Sequence, residues 1–271
     1  MGETTYVARK PDARGYCAYT DAENAIWAEL YARQRKAIEH AATDEYIHGH
    51  ELLKLPSDRV PQLPEVSTVL RRETGWELAA VPALIPFEDF FQLLANKRFP
   101  AATFVRRREE LDYLQEPDIF HELFGHSPML TNPYFAEFTH AYGKLGLQAN
   151  DEDRVFLARL YWFTVEFGLI RKPGGPLRIY GGGILSSIGE TDYAVNSEKA
   201  RRERFRVLDA LRTPYRIDIM QPVYYVIEDL RELFELTRRD LMADIGQAKR
   251  LGLFAPLFTP LEEPALNQAV A

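Results

Sequence analysis

Apolar residues recur along most of the chain at helical rather than alternating intervals. Ile26, Trp27, Leu30 and Tyr31 fall on one helix face behind the pair Thr20 and Glu23, a capping box in which hydroxyl and carboxylate each accept an otherwise unpaired backbone N–H. This spacing predicts a helix from about Asp21 toward His40, which continues after a break toward Leu55-Pro56. Pro64 to Thr74, closed by Gly75, predicts another, and Phe87–Leu94 a third. Asn132-Pro133 opens a helix to about Leu145, Asp151-Glu152-Asp153 opens one running to Phe167, and Asp229–Leu251 reads as one long helix. Strands are predicted at Trp76–Val81 and Ala101–Val105, with short ones at Ile179-Tyr180 and Tyr224–Ile227. Helices dominate and the alternation is too irregular for a doubly wound sheet, so the expected fold class is α+β, predominantly α-helical. No repeat, low-complexity tract or Gly/Ser linker interrupts the interior. Residues 1–15 are read as an N-terminal extension, 16–260 as a single domain with a few short strands, and 261–271 as a tail.

Composition narrows the partners. The 271 residues carry 33 Lys and Arg against 40 Asp and Glu, for a net charge of −7. A nucleic-acid partner is not expected, because phosphate neutralisation needs a basic face and the densest basic run is Arg106-Arg107-Arg108. No apolar stretch approaches the ~18 residues of a membrane helix, the start MGETTYVARKPD lacks the apolar core of a signal peptide, and Tyr6 stands where a myristoylation motif needs Ser or Thr. Neither a membrane anchor nor secretion is therefore expected. Cys17 is the single cysteine, so a metal must be held by imidazole and carboxylate, and a cytoplasmic location is expected. The six histidines become the scarce resource.

Two of them lie five residues apart in Pro117-Asp118-Ile119-Phe120-His121-Glu122-Leu123-Phe124-Gly125-His126. On an α-helix that spacing leaves them about 140° apart, where a zincin pair at i and i+4 shares a face. Gly125 and Pro128 predict that the helix ends between them, so that His126 turns back toward the centre His121 faces. Forty residues on, Tyr161-Trp162-Phe163-Thr164-Val165-Glu166-Phe167-Gly168 places one carboxylate in a nearly continuous apolar helix. Burying it unpaired costs several kcal/mol, so Glu166 needs an Arg, a shared proton or a cation beside it. Two imidazoles and a carboxylate make a facial triad suited to non-haem Fe(II). Zinc, with Glu122 as a general base for hydrolysis, is the rival; a plain buried ion pair and a metal-binding module without activity are the simpler alternatives. His48-Gly49-His50, His40 and His140 are read as structural. Arg106-Arg107-Arg108 follows a strand-like run, so one of the three guanidinium groups is expected to point inward and take a carboxylate bidentately, with the other two solvated. Tyr180-Gly181-Gly182-Gly183-Ile184-Leu185-Ser186-Ser187 lacks the spacing of a phosphate loop; it is read as a close backbone approach to a ligand, or as a turn.

Taken together, PDIFHELFGH, YWFTVEFG, YGGGILSSIGE and QPVYYV stand in the order and approximate spacing of one family. From about Tyr6 to Leu257 the chain resembles the pterin-dependent aromatic amino acid hydroxylases, in the compact bacterial form that hydroxylates phenylalanine and lacks a regulatory domain. The resemblance implies Fe(II), a tetrahydropterin, and conversion of L-phenylalanine to L-tyrosine with O2; hydroxylation of tryptophan or of another ring position is the alternative. It implies His121, His126 and Glu166 as iron ligands and Arg106 as the partner of the substrate carboxylate. Trp162, Phe167 and Ser186 match pocket residues. Glu190, with Ser187, matches an outer layer in which Glu190 holds an iron-ligating imidazole by its other nitrogen. Phe90 matches the aromatic that stacks on the pterin, with Ile85, Glu122 and Tyr161 beside it. Leu114-Gln115 depart from the Thr-Pro of animal members, and His126-Ser127 and Met129 vary the local packing. Ile217 stands where the tyrosine-specific branch has an acidic residue, which favours an unhydroxylated ring. No heptad pattern follows Leu257, so a monomer is expected.

Overall fold

The computed structural model describes residues 6–114 and 116–259; the expected tail 261–271, the first part of the N-terminal extension and Gln115 lie outside them. Thr20 caps the first helix in the expected box, and α1 (Asp21–Ile38) buries Trp27, Leu30, Gln34 and Ile38 along one face. The chain breaks and resumes as α2 (Asp44–Leu53), then α3 (Leu63–Glu73), β1 (Glu77–Val81) and α4 (Phe87–Ala95).

The second strand begins earlier than its sequence suggests. β2 spans Arg98–Ala102 and pairs parallel with β1, from Glu77 opposite Arg98 to Val81 opposite Ala102. The apolar run at 101–105 is buried throughout its first half, but beyond Ala102 the backbone leaves the ladder. Thr103 O accepts from Tyr19 Oη at 3.1 Å, and Phe104 O accepts from Ile119 N at 3.0 Å. That detour carries Arg106 to the segment just before His121.

Beyond it follow α5 (Pro133–Gln148), α6 (Asp151–Tyr161), β3 (Leu169–Ile170), β4 (Arg178–Ile179), α7 (Gly182–Leu185), α8 (Ile188–Asn196), β5 (Arg201–Arg204), α9 (Val207–Arg212) and β6 (Val223–Ile227). The second sheet has the order β4-β3-β6-β5, with β6 parallel to both β3 and β5. The long helix expected over Asp229–Leu251 is two, α10 (Arg231–Leu236) and α11 (Leu241–Leu251). Asp240 interrupts it by accepting from Ala243 N at 2.9 Å, the side-chain competition with helical bonding that makes Asp a start signal rather than an interior residue.

One continuous core runs from Trp27 in α1 to Ala248 in α11. Tyr46 in α2 donates through its hydroxyl to Phe124 O at 2.5 Å, so the first helices brace the backbone between the two paired histidines. His140 serves structure as expected, its Nε2 lying 3.1 Å from Ala95 O. His50 does too: its ring packs among Tyr31, Tyr46 and Phe124 with centroids 5.7, 6.3 and 5.3 Å away, and its buried Nε2 has no partner among the described residues.

Burial, with a smaller contribution from Arg35, lowers His50 from its ordinary 6.5 to about 4. Below 6.5 the unfolded chain takes a proton that the folded chain refuses until about 4, so stability falls with falling pH across that window. His50→Leu should flatten this part of the dependence, recovering at most roughly 3 kcal/mol at its acid end. Denaturant unfolding of both proteins from pH 7 to pH 4 checks this; parallel curves would acquit His50.

Candidate active site

The helix that carries the histidine pair does not end between them; it widens. Residues His121–His126 form a π-helical turn, in which Ser127 N donates to Glu122 O, five residues back, at 3.2 Å. In this wider turn residues five apart come round to the same side, and the spacing that misses an α-helical pair becomes the right one. The same device ends α6. Trp162–Glu166 is π-helical, and Phe167 N donates to Trp162 O at 2.8 Å. The two widened turns face each other. His126 Nε2 lies 3.0 Å from His121 Nε2 and 3.1 Å from Glu166 Oε1, and His121 Nε2 lies 3.6 Å from Glu166 Oε2. One ligand atom from each residue falls within 4.8 Å of the others.

Protonation of His121 follows from its neighbour. Ser186 Oγ donates its single hydrogen to Gly182 O at 2.9 Å and so accepts at 3.0 Å from His121 Nδ1. The proton of the neutral ring therefore sits on Nδ1, and Nε2 presents a lone pair to the centre. Burial keeps the ring neutral, pushing it down to about 4. At Glu166 burial works to raise the carboxyl, but the charge and hydrogen bond of His126, then His121, hold it below its ordinary value. Two imidazoles and a carboxylate aimed at one point are a donor set that fits non-haem Fe(II).

The second layer differs from expectation. Glu190 holds neither imidazole: it accepts from Tyr224 Oη and, at 3.2 Å, from Gln221 N. Ser187 caps α8, accepting from Glu190 N at 3.3 Å. Ser186 is the residue on a ligand's other nitrogen, while Nδ1 of His126 is buried without a partner among the described residues. The glycine run approaches the ligands themselves. A Cβ on Gly182 would lie 2.4 Å from the His126 ring, and one on Gly183 would lie 2.9 Å from Glu166 Oε2, so α7 packs flush against both widened turns only because side chains are missing there.

Arg106 is buried, as expected, but its bidentate partner is internal. Nε and Nη2 donate to Asp118 Oδ2 and Oδ1, each at 2.9 Å, leaving Nη1 uncommitted to that carboxylate. Asp118 also accepts from Arg106 N at 3.0 Å and His121 N at 3.1 Å. Burial acts to raise its carboxyl, yet the Arg106 charge and these bonds hold it below its ordinary value. Asp118 escaped the sequence reading because, unlike Glu166, it has polar neighbours on both sides in Gln115-Glu116 and His121-Glu122.

Two cavities meet at the triad, sharing Pro117, His121 and Glu166. One, of about 320 Å³, is lined by Arg106, Trp162, Phe167, Ser186, Ser187 and Glu190, with Leu114 and residues Ile217 to Met220 across from them. Trp162 stacks between Phe167 and Tyr215, both with centroids 4.4 Å away. The other, narrower cleft is lined by Ile85, Phe90, Glu122 and Tyr161, together with Phe99 and Pro100. Burial, then the nearby Glu166 and Asp118 charges, raises Glu122 well above its ordinary value. The two residue groups that the resemblance links to different ligands thus line two different cavities. A larger surface groove between residues 205–209 and 231–239 holds none of them.

The chain is similar to proteins of known structure and name. The profile of the biopterin-dependent aromatic amino acid hydroxylases matches residues 3–247. The phenylalanine-4-hydroxylase of Pseudomonas aeruginosa is 59% identical over 260 residues, covering 96% of this chain and 98% of that protein. The apo structure of the cold-active phenylalanine hydroxylase from Colwellia psychrerythraea 34H superposes with a TM-score of 0.90 at 57% identity, covering 93% of this chain and 97% of that one. The phenylalanine hydroxylase of Chromobacterium violaceum with bound oxidised Fe(III) superposes with a TM-score of 0.84 at 43% identity, covering 90% and 91%. With its ligand triad, its two cavities and a match over most of its length, the chain belongs to the biopterin-dependent aromatic amino acid hydroxylase family.

Proposed function

We propose that this chain is an Fe(II)- and tetrahydropterin-dependent monooxygenase that converts L-phenylalanine to L-tyrosine with O2. The convergence of His121, His126 and Glu166 between two cavities carries the reading, because it lets one metal be approached from both sides. Iron and the reduced pterin, when bound, supply the activation of O2 and the electrons that reduce its second oxygen atom. The protein positions and excludes. Asp118 fixes the plane of Arg106, whose remaining Nη edge takes the amino-acid carboxylate. Trp162 and Phe167 pack the ring, and Ile217 offers no polar partner to a phenol hydroxyl, which favours phenylalanine over tyrosine. Ser186 holds His121 in the tautomer a metal needs.

In the narrower cleft Phe90 and Tyr161, edge to face at 5.4 Å, offer the pterin an aromatic wall beside Ile85. Glu122 offers it a carboxyl group. Hydrolysis with Glu122 as base, the rival reading, needs an ionised carboxylate there, and burial opposes it. No helix among the described residues is long and apolar enough to cross a membrane. The proposal includes a cytoplasmic location, favoured by the lone Cys17, and a monomer, which light scattering checks.

Anaerobically loaded with Fe(II) and given tetrahydropterin, O2 and phenylalanine, the enzyme should release tyrosine. Turnover of pterin with iron bound but no tyrosine formed would overturn the substrate assignment. Arg106→Ala should raise KM for phenylalanine about tenfold or more through loss of charge-assisted bonds, with KM for the pterin nearly unchanged. Because that variant also strands Asp118, Arg106→Lys, which keeps the charge without the fork, should show the same selective loss; equal loss for both ligands would remove Arg106 from the substrate side. Gly182→Ala should displace the His126 ring, and metal analysis after gel filtration should find well under one iron per chain. Full iron retention would show that the ring has room to move.

A further inference from the structure

One buried amide beside the lining of the larger cavity joins two separate segments and leans on a third. Gln221, 1% exposed, accepts from Trp162 Nε1 at 3.0 Å through Oε1 and donates through Nε2 to the backbone oxygens of Arg216 and Ile219, both at 2.8 Å. Its backbone N–H donates to Glu190, which Tyr224 also holds. The orientation of the amide is dictated by its partners: an indole N–H can only donate and backbone carbonyls can only accept, so the flipped amide would lose all three side-chain bonds.

The two carbonyl bonds close the loop 216–220, which forms one wall of the cavity. Among the described residues little else fastens it. Ile217 and Met220 are 36% and 46% exposed, so the loop gains little from burial. The Arg216–Asp218 pair lies within the loop itself and is partly exposed, where ion pairs contribute little. Arg216 adds one bond, to Thr259 O at 3.1 Å. At the other end of the amide, Trp162 presents its ring to the same cavity from the π turn that carries Glu166.

We propose that Gln221 is a specificity-positioning residue, which sets the separation between the Ile217 loop and the Trp162 indole and so the width of the slot that takes the substrate ring. This rests on the phenylalanine reading above and deepens it. Gln221 touches no substrate; it acts through Ile217 and Trp162.

Gln221→Glu preserves volume and the bond from Trp162 but turns a carboxylate oxygen toward two carbonyl oxygens, releasing the loop alone. Gln221→Met, uncharged and of similar length, removes all three side-chain bonds and serves if the charge prevents folding. In the iron-loaded enzyme each variant should weaken phenylalanine binding, read by calorimetry, by roughly fivefold or more, an effect of the size expected for lost buried hydrogen bonds. Each should also raise the ratio of kcat/KM for tryptophan over phenylalanine by a similar factor, as the slot widens, with KM for the pterin within about twofold of wild type. A role in stability alone would lower Tm and leave both the phenylalanine Kd and the ratio unmoved; that result overturns the proposal. Failure of the underlying substrate reading looks different, as wild-type enzyme that binds no phenylalanine, and takes this proposal with it.

Discussion

The site depends on one buried carboxylate. Asp118 is fully enclosed, and its two oxygens accept four N–H groups: the Arg106 backbone, two guanidinium nitrogens of Arg106, and the backbone of His121. A charge in such a place is tolerated only when its lone pairs are occupied and an opposite charge lies beside it. Satisfying that requirement ties the end of the β2 segment to the first residue of the ligand turn. The guanidinium assigned to the substrate and the imidazole assigned to the metal are thereby placed by the same two oxygens, and neither shifts without the other.

The ligand geometry follows from a second constraint, the width of the helical turn. Two histidines five residues apart meet only if the backbone adds a residue to the turn, and both ligand-bearing helices do so. Such turns interrupt regular α-helical bonding and persist where surrounding packing over-determines them. Here the packing comes from the glycine run, whose backbone lies against the His126 ring and Glu166, and from Tyr46, which holds Phe124 O from the other side. Rigidity at the triad contrasts with the cavity wall at 216–220, which hangs largely on Gln221. Metal geometry is thus braced from several directions, while the ring slot is adjusted by a single amide.

Much of this architecture can be read from local pattern. The capping box at Thr20, the Asn132-Pro133 start and the acidic start at Asp151 act within one turn and appear in the structure as helices. The ligands were legible as well, because scarcity of histidine and the cost of burying Glu166 are properties of composition and hydropathy. Asp240 was misjudged: within a predominantly apolar periodicity it was counted as an interior residue, although its side chain caps α11 and divides the predicted helix.

The residues thus determined a predominantly helical α+β fold and singled out His121, His126 and Glu166 as candidate ligands, while the two groups of residues around them were supplied by the family resemblance. Only the tertiary structure decided that the histidine helix widens rather than ends, that Asp118 claims the fork of Arg106, that Ser186 and not Glu190 fixes His121, and that Gln221 spans loop and indole. The last three share one reason. Each outcome turns on competition among hydrogen-bond partners that burial removes from water, and those partners meet only when segments from 12 to 65 residues apart in sequence pack together.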